Sequence, residues 1–206
     1  SWVAGLPFLL MAIALLIAWD VDSLVLEGWI ADPSFSAARV GVVLALVLLA
    51  LPLGLIVQAL LLRWTRRVPA GTLRTGSREH VRLMNRTHAI DSASDWLSGA
   101  LMWPTWLRLA GMKVGRDVEV STILDVLPEQ VTIGPRCFLA DGIYLAGPRV
   151  DRGTVTVAPV VLREGTFLGN HVVVPAGASL PPDILLGICT VADPAAIRAG
   201  TAWFGQ

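Results

Sequence analysis

Charged residues are scarce in this sequence. Asp, Glu, Lys and Arg make up 16% of its 206 residues, against ~25% in an average soluble domain, while hydrophobic residues make up 54%. The sixteen basic and sixteen acidic residues cancel, so net charge gives no reason to expect a nucleic-acid partner. The composition predicts that part of the chain lies outside water.

Cysteine is also rare. Cys137 and Cys189 lie far apart in the sequence, each beside apolar residues. Free thiols are typically buried, and disulfides are rare in reducing compartments. We therefore expect two buried free thiols.

The long uncharged runs lie in the first third of the chain. Residues 40–62 contain no charge, and as a helix they would extend ~34 Å, enough for a hydrocarbon core of ~30 Å. Residues 2–19 form a second, shorter run without charge. Together they predict a hairpin of two transmembrane helices within residues 1–65, kinked at Pro7 and Pro52.

The charges around these runs are asymmetric. The segment between the runs is acidic, and seven arginines follow the second run: Arg63, Arg66, Arg67, Arg74, Arg78, Arg82 and Arg86. Because positive flanks stay in the cytoplasm, we expect a multi-pass protein of a cell membrane whose remaining domain is cytosolic. Docking of an acidic protein partner is the alternative role of these arginines, beside contact with anionic lipid.

Residues 66–110 are predicted to form a basic tether and a Trp-rich juxtamembrane helix. Ser92-Ala-Ser-Asp95 has the spacing of a capping box and predicts where that helix begins. From there Trp96, Ala100, Trp103 and Leu107 fall on one helical face. Such a stripe usually packs against a neighbouring element, and stacking on a substrate is the alternative.

A period of six residues runs through residues 111–206. One large aliphatic residue recurs every six positions in two blocks, Ile133, Leu139 and Leu145, then Leu162, Leu168, Val174, Leu180 and Leu186. Gly or Pro follows most of them, which marks a corner after each short strand. This period predicts a parallel β-helix of about four coils that stack to bury their aliphatic residues. The segment Gly147 to Gly153 breaks the period and predicts an extruded loop.

These repeats resemble the left-handed parallel β-helix of hexapeptide-repeat acyltransferases, which commonly form trimers. With the hydrophobic runs, the resemblance implies an α+β membrane protein in which two transmembrane helices precede a single-stranded left-handed β-helix. It also implies a catalytic histidine at a corner as general base. His171, in Leu168-Gly-Asn-His171, is the histidine of the repeat region, and Asn170 beside it would steady an oxyanion. A solvent-facing corner residue is the alternative for His171.

One histidine within the repeats does not supply the three-histidine zinc site of the related carbonic anhydrases. We therefore expect no metal site and no cofactor bound directly by this segment.

The order of the segments narrows the resemblance further. Two apolar runs, an Arg-rich tether, the segment Trp106-Leu-Arg-Leu-Ala-Gly-Met-Lys-Val-Gly115 and the ending Ala199-Gly-Thr-Ala-Trp-Phe-Gly-Gln206 resemble the carboxyl-terminal region of ε-poly-lysine-synthase-type nonribosomal peptide synthetases. The resemblance implies formation of amide bonds between amino acids that a carrier domain holds as phosphopantetheine thioesters. It implies the lipid bilayer, that carrier domain and sister β-helix domains, in a pseudo-trimer or homo-trimer, as partners.

The loop at residues 140–148 lacks the histidines that one copy in that family carries, which favours a structural copy. Two other functions stay open at this point. One is a stand-alone membrane-tethered acyltransferase that uses acyl-coenzyme A, and the other is a non-catalytic module for assembly and anchoring.

Overall fold

The computed structural model describes residues 33–205 together with the isolated positions 9, 12, 13 and 16. Within residues 33–205 the α-helices are α1 (Pro33–Trp64), α2 (Arg78–Leu97) and α3 (Trp103–Leu109), and a 3-10 helix covers Pro128–Gln130. Strand β1 (Gly71–Arg74) lies between α1 and α2. Short strands follow: β2 (Lys113–Val114), β3 (Glu119–Val120), β4 (Ile123–Leu124), β5 (Val131–Ile133), β6 (Phe138–Leu139), β7 (Ile143–Leu145), β8 (Arg149–Asp151), β9 (Thr154–Val157), β10 (Val160–Leu162), β11 (Phe167–Leu168), β12 (Val173–Val174), β13 (Ser179–Leu180), β14 (Leu185–Leu186) and β15 (Ala202–Trp203).

Most of these strands form three parallel sheets, and successive coils of the chain add successive strands to them. Sheet I has the order β13-β10-β5-β2, sheet II the order β15-β14-β11-β6-β3, and sheet III the order β12-β7-β4. Leu168 pairs with Leu139 of the coil before it and with Leu186 of the coil after it. The chain therefore forms a parallel β-helix, and its left-handed sense stays a prediction.

The aliphatic residues of the six-residue period point into the β-helix, as their phase predicted. Leu139, Leu145, Leu162, Leu168, Leu180 and Leu186 are fully buried, and Ile133 and Val174 are nearly so. Their neighbours along each strand, such as Phe138 and Phe167, face outward and are partly exposed, as the alternation of side chains in a strand requires. The assigned phase of the repeat is confirmed.

The predicted transmembrane hairpin is wrong, and with it the membrane part of the predicted fold class. In residues 33–205 no helix has both the length and the apolar character needed to cross a bilayer. The run at residues 40–62 lies in α1, whose second half packs against the rest of the chain. Leu55, Ala59 and Leu62 are buried there, and Gln58 Nε2 donates to Ala89 O at 3.2 Å and to Ser92 Oγ at 2.9 Å. An apolar run needs cover, and its composition does not tell which surface supplies it. The other predicted span, residues 2–19, lies outside the described residues except at the four isolated positions.

The Trp-rich helix begins earlier than predicted. The N-cap of α2 is Ser77, whose Oγ accepts from His80 N at 3.1 Å, and Ser92 lies inside that helix. The polar first half of α2 hides this start, because its side chains show no apolar run. After α2 ends at Leu97, the chain turns and α3 begins with Pro104 in its first turn, where a missing N–H costs nothing.

Two tryptophans of the predicted stripe tie α3 to its neighbours. Trp103 and Trp106 are buried and stack with their ring centroids 5.3 Å apart. Trp103 Nε1 donates to Ser121 O at 3.0 Å, and Trp106 Nε1 donates to Leu55 O at 2.8 Å. These tryptophans therefore pack between α1 and the β-helix, whereas Trp96 is 41% exposed.

The segment that breaks the period is a β-hairpin and not a loop. Strands β8 and β9 pair antiparallel across Arg152 and Gly153, which have φ of +37° and +83°, the backbone of a tight hairpin turn. Strand β1 then pairs antiparallel with β9. Val155 and Val157 of β9 are buried in a small second core with Val68, Leu73, Leu83 and Leu127. The prediction of an extruded loop is wrong because the partner strand comes from far earlier in the sequence.

A buried ion pair joins the helices to the β-helix. Arg86 of α2 meets Glu129, each side chain 5% exposed, with Nη2 2.8 Å from Oε2. Arg86 Nη2 also donates to Leu62 O at 2.8 Å and Nη1 to Thr65 Oγ1 at 2.9 Å, which satisfies a carbonyl at the end of α1. Glu129 Oε1 accepts from Val68 N at 2.8 Å. One pair of charges therefore connects α1, the following segment, α2 and the β-helix.

The two cysteines differ in environment. Both are free; Cys137 is buried and Cys189 is exposed, so the prediction of two buried thiols is wrong for Cys189. Burial raises the pKa of the Cys137 thiol. Cys189 lies at a corner with φ of +58°, which directs it away from the interior although its neighbours in sequence are apolar.

Candidate functional site

Asn170 and His171 lie together at the corner between β11 and β12, and both are exposed. His171 has φ of +58°, and the equivalent corner residues of the coils before and after it, Gly142 and Cys189, have φ of +69° and +58°. The backbone is continuous from coil to coil there, because His171 N donates to Asp141 O at 2.8 Å and Cys189 N to Asn170 O at 2.9 Å. The left-handed conformation of His171 is thus shared by this corner in three successive coils and does not mark catalytic strain.

The imidazole of His171 lies against the backbone of the coil before it. A Cβ added at Gly142 would come within 2.8 Å of His171 Cε1, so the absence of a side chain at Gly142 makes room for the ring. The positive φ of Gly142 is the second reason for glycine at that position. The His171 ring therefore occupies the space that a side chain at residue 142 would fill.

Asn170, but not His171, lines an open groove of about 660 Å³ on the outer face of sheet II. Phe138 and Phe167 pair in register on adjacent coils, and their rings stack at 4.8 Å between centroids with 10° between their planes. They are 37% and 40% exposed. Leu185 continues this ladder on the next coil. We call Phe138, Phe167 and Leu185 the sheet II ladder.

The groove extends beyond the ladder in both directions. Phe204, 75% exposed, covers one end, and a side chain at Gly187 would clash with its ring. At the other end a second depression of about 300 Å³ shares Ser121 and Phe138 and reaches the turn between α2 and α3. Leu101 in that turn is 98% exposed. Exposed apolar side chains therefore line both depressions, and the exposed Glu119, which pairs in register with Phe138, lies between Phe138 and the α2–α3 turn.

A short polar chain closes one side of the groove. Asp141 Oδ1 accepts hydrogen bonds from Ser121 Oγ and, at 3.3 Å, from Thr122 Oγ1. The hydrogen bond from Ser121, followed by that from Thr122, holds the pKa of the Asp141 carboxyl below its usual value. Asp141 N in turn donates to Asn170 Oδ1 at 3.2 Å. The groove thus combines an apolar wall with an ionised carboxylate, a pairing that suits an aliphatic amine.

The catalytic roles predicted for His171 and Asn170 stay predictions, and sequence reasoning did not single out the sheet II ladder or Asp141. The signal for the ladder was present, since phenylalanine directly precedes the buried leucine in Phe138-Leu139 and in Phe167-Leu168. Equal phase in the period places both rings on the same outer face. Asp141 had no comparable signal, because its partners Ser121 and Thr122 belong to the preceding coil.

A second titratable group lies away from the groove. Burial raises the pKa of Asp91 in α2 to about 6, and the negative charge of Asp125 adds to the shift. Among the described residues, Asp91 Oδ1 has no hydrogen-bond partner. Within residues 33–205 no cluster of His, Cys, Asp and Glu is placed to hold a metal ion.

We expect Asp91→Asn to stabilise the fold above pH 6. The folded state holds the Asp91 proton up to about pH 6 and the unfolded state only to about pH 4, so the wild type loses stability as the pH rises between these values. The full shift corresponds to ~3 kcal/mol, which solvent screening of this partly exposed group reduces to ~1 kcal/mol. Urea denaturation at pH 7.5 and pH 3.5 measures the gain.

The gain from Asp91→Asn should nearly disappear at pH 3.5, where Asp91 is protonated in the folded state and mostly protonated in the unfolded state. Asp151→Asn, at an exposed position of β8, is the matched control and should change the stability by less than ~0.5 kcal/mol at either pH. A gain that is equal at the two pH values would contradict a raised pKa for Asp91.

Comparison with known proteins relates part of the chain to an enzyme. No protein-family model matches the sequence. Delta-poly-L-ornithine synthetase of Acinetobacter baumannii (strain AB307-0294) is 33% identical to it over 104 residues. The match covers 50% of this chain and 8% of that protein, so the chain spans a small fraction of the length of its relative. Over half its length, this chain is a homologue of a segment of a poly-amino-acid synthetase, which relates it to peptide-synthetase-like proteins.

Proposed function

We propose that this chain is a structural module of a synthetase that forms amide bonds between carrier-bound amino acids, and that sheet II is its contact surface for a sister β-helix. The observation that carries the proposal is the stacked, half-exposed pair Phe138 and Phe167 on an open sheet face. Apolar strips of this kind on a protein surface mark interaction sites. A second β-helix against the ladder would enclose the groove that one β-helix leaves open.

The chemistry of the groove agrees with this class of substrate. In amide formation an amine nitrogen attacks the thioester carbonyl, the C–N bond forms as the C–S bond breaks, and the proton released by the amine ends on the thiol. The phosphopantetheine arm that carries the thioester belongs to the carrier domain, so this chain needs no cofactor of its own. The ionised Asp141 beside the apolar wall offers a place for the cationic aliphatic chain of an amino acid such as ornithine or lysine.

The position of His171 supports a structural role for this copy. A general base must reach the proton that it removes, directly or through one water. The His171 ring packs on the Gly142 backbone and does not line the groove. We therefore assign amide-bond chemistry to another part of the synthetase.

We expect Phe167→Asp in the full synthetase to weaken association of the β-helix domains by ~2 kcal/mol or more, about 30-fold, and to reduce polymer formation accordingly. In the assembled synthetase this substitution would bury a carboxylate in place of the Phe167 ring, which lies between Phe138 and Leu185 in the sheet II ladder. Val161→Asp is the matched control, because Val161 is an outward, partly exposed residue of sheet I and should leave both properties within twofold. Domain association is measured by cross-linking and polymer formation by the rate of amino-acid incorporation.

His171→Ala separates the structural from the catalytic role. In the proposed structural copy it changes the rate of incorporation by less than twofold. A loss of ~100-fold or more with the assembly intact would identify His171 as the general base and overturn the structural assignment. Turnover of acyl-coenzyme A by the isolated chain would instead favour a stand-alone acyltransferase.

A further inference from the structure

A basic cavity of about 250 Å³ lies between the end of α1 and one face of α2, remote in the chain from the sheet II ladder. It is lined by Leu62, Thr65, Arg78, Val81, Arg82, Asn85 and Arg86. The cavity is smaller than the ~300–1,000 Å³ of pockets that hold drug-sized ligands. Its size suits a small chemical group, and its three arginines favour a group with negative charge.

Three arginines of the cavity follow one another at intervals of four along α2, so they lie on one face of the helix. Like charges at this spacing repel. Arg78 is also the first residue of α2, where the positive end of the helix dipole disfavours a cation. In residues 33–205 the ion pairs are those of Arg86 with Glu129 and of Arg136 with Glu164. In the described part of the chain neither Arg78 nor Arg82 forms an ion pair, and the acidic residue of the same helical turn, Glu79, is not part of the cavity lining.

The wall of the cavity offers hydrogen-bond donors. Arg86 uses four of its five N–H groups on Glu129, Thr65 and the Leu62 carbonyl, which leaves one on Nη1. Thr65 Oγ1 accepts from Arg86 at 2.9 Å, so its own proton is available to donate. Glu129, the nearest acid to Arg86, is held by Arg86 and by Val68 N and is not part of the cavity lining.

We propose that this cavity binds a phosphate group. Guanidinium groups match phosphate oxygens in pairs of parallel hydrogen bonds, and the cavity presents Arg78 and Arg82 beside the hydroxyl of Thr65. A bound phosphate removes the repulsion between the arginines and the unfavourable interaction of Arg78 with the helix dipole. The phosphate belongs either to a soluble anion or ester or to a lipid headgroup. The proposal does not depend on the function assigned to sheet II.

The test uses the whole chain, its double variant Arg78→Gln with Arg82→Gln, and a control double variant Arg116→Gln with Arg163→Gln. The control arginines are exposed residues of the β-helix and remove the same charge away from the cavity. Isothermal titration with inorganic phosphate measures the soluble ligand. Co-sedimentation with phosphatidylcholine vesicles, with and without phosphatidylglycerol, measures the lipid headgroup. Thermal denaturation checks that each variant is folded.

We expect the cavity variant to raise the Kd for inorganic phosphate about tenfold or more and the control variant to leave it within twofold. If phosphate does not bind but vesicles with phosphatidylglycerol do, the same difference between the two variants identifies a lipid headgroup as the source. The proposal is overturned if neither probe binds the wild type. It is equally overturned if the two double variants lose binding to the same extent, because the attraction would then reflect net charge alone.

Discussion

Arg86→Ala should lower the free energy of unfolding by ~3–5 kcal/mol, because it leaves the Glu129 carboxylate buried without its partner. The Leu62 carbonyl at the end of α1 and the Thr65 hydroxyl lose a donor at the same time. For a chain of this size the loss corresponds to a fall in Tm of roughly 10 °C. Thermal and urea denaturation followed by circular dichroism measure both quantities.

An exposed ion pair of the same chain provides the matched control. Arg136 and Glu164 form an ion pair at the surface, with side chains 64% and 43% exposed, and Arg136→Ala should cost ~0–1 kcal/mol. Replacing both buried partners, Arg86→Met with Glu129→Leu, should cost less than Arg86→Ala alone, since no charge is then left unpaired. Equal losses for Arg86→Ala and Arg136→Ala would show that the buried pair does not connect the helices to the β-helix.

Leu180→Asp should abolish the stable fold or destabilise it by several kcal/mol. Leu180 is fully buried and pairs in register with Leu162 of the coil before it, so a carboxylate there enters the interior with no partner. Each coil covers the next, and the damage therefore extends beyond one strand. Far-ultraviolet circular dichroism and the urea midpoint report the loss.

Ser179→Asp places the same carboxylate one residue earlier, on the outer face of β13. Ser179 is exposed, so we expect a change of less than ~0.5 kcal/mol. Neighbouring residues of a strand face opposite sides, and the contrast between the two variants tests the phase of the repeat directly. Similar urea midpoints for Leu180→Asp and Ser179→Asp would contradict it.

The β-helix was largely predictable because each of its coils repeats the same local requirement. One aliphatic residue must face the interior on every short strand, and a corner must follow, so period and phase appear in the sequence without knowledge of distant contacts. Leu139, Leu168 and Leu186 stack in register for this reason. The outward phase of Phe138 and Phe167 follows from the same period.

The functional candidates were only partly predictable. Asn170 lines the groove, and its corner position was readable from the repeat. The hydrogen-bonded chain from Ser121 through Asp141 to Asn170 required knowledge of how three coils align. Their alignment depends on the length of every turn and of the hairpin between them, which a single motif does not report.

The amino-acid sequence by itself determined the interior of the β-helix, its corners and the outward aromatic positions, because these follow from a short period. Only the tertiary structure decided what covers the second half of α1, that β1 completes the inserted hairpin, and that Arg86 pairs with Glu129. Each of these contacts joins residues far apart in the chain. An apolar run indicates only that some surface must cover it, and a buried arginine indicates only that it needs an acidic partner. The packing of the folded chain decides which segment provides that surface or that partner.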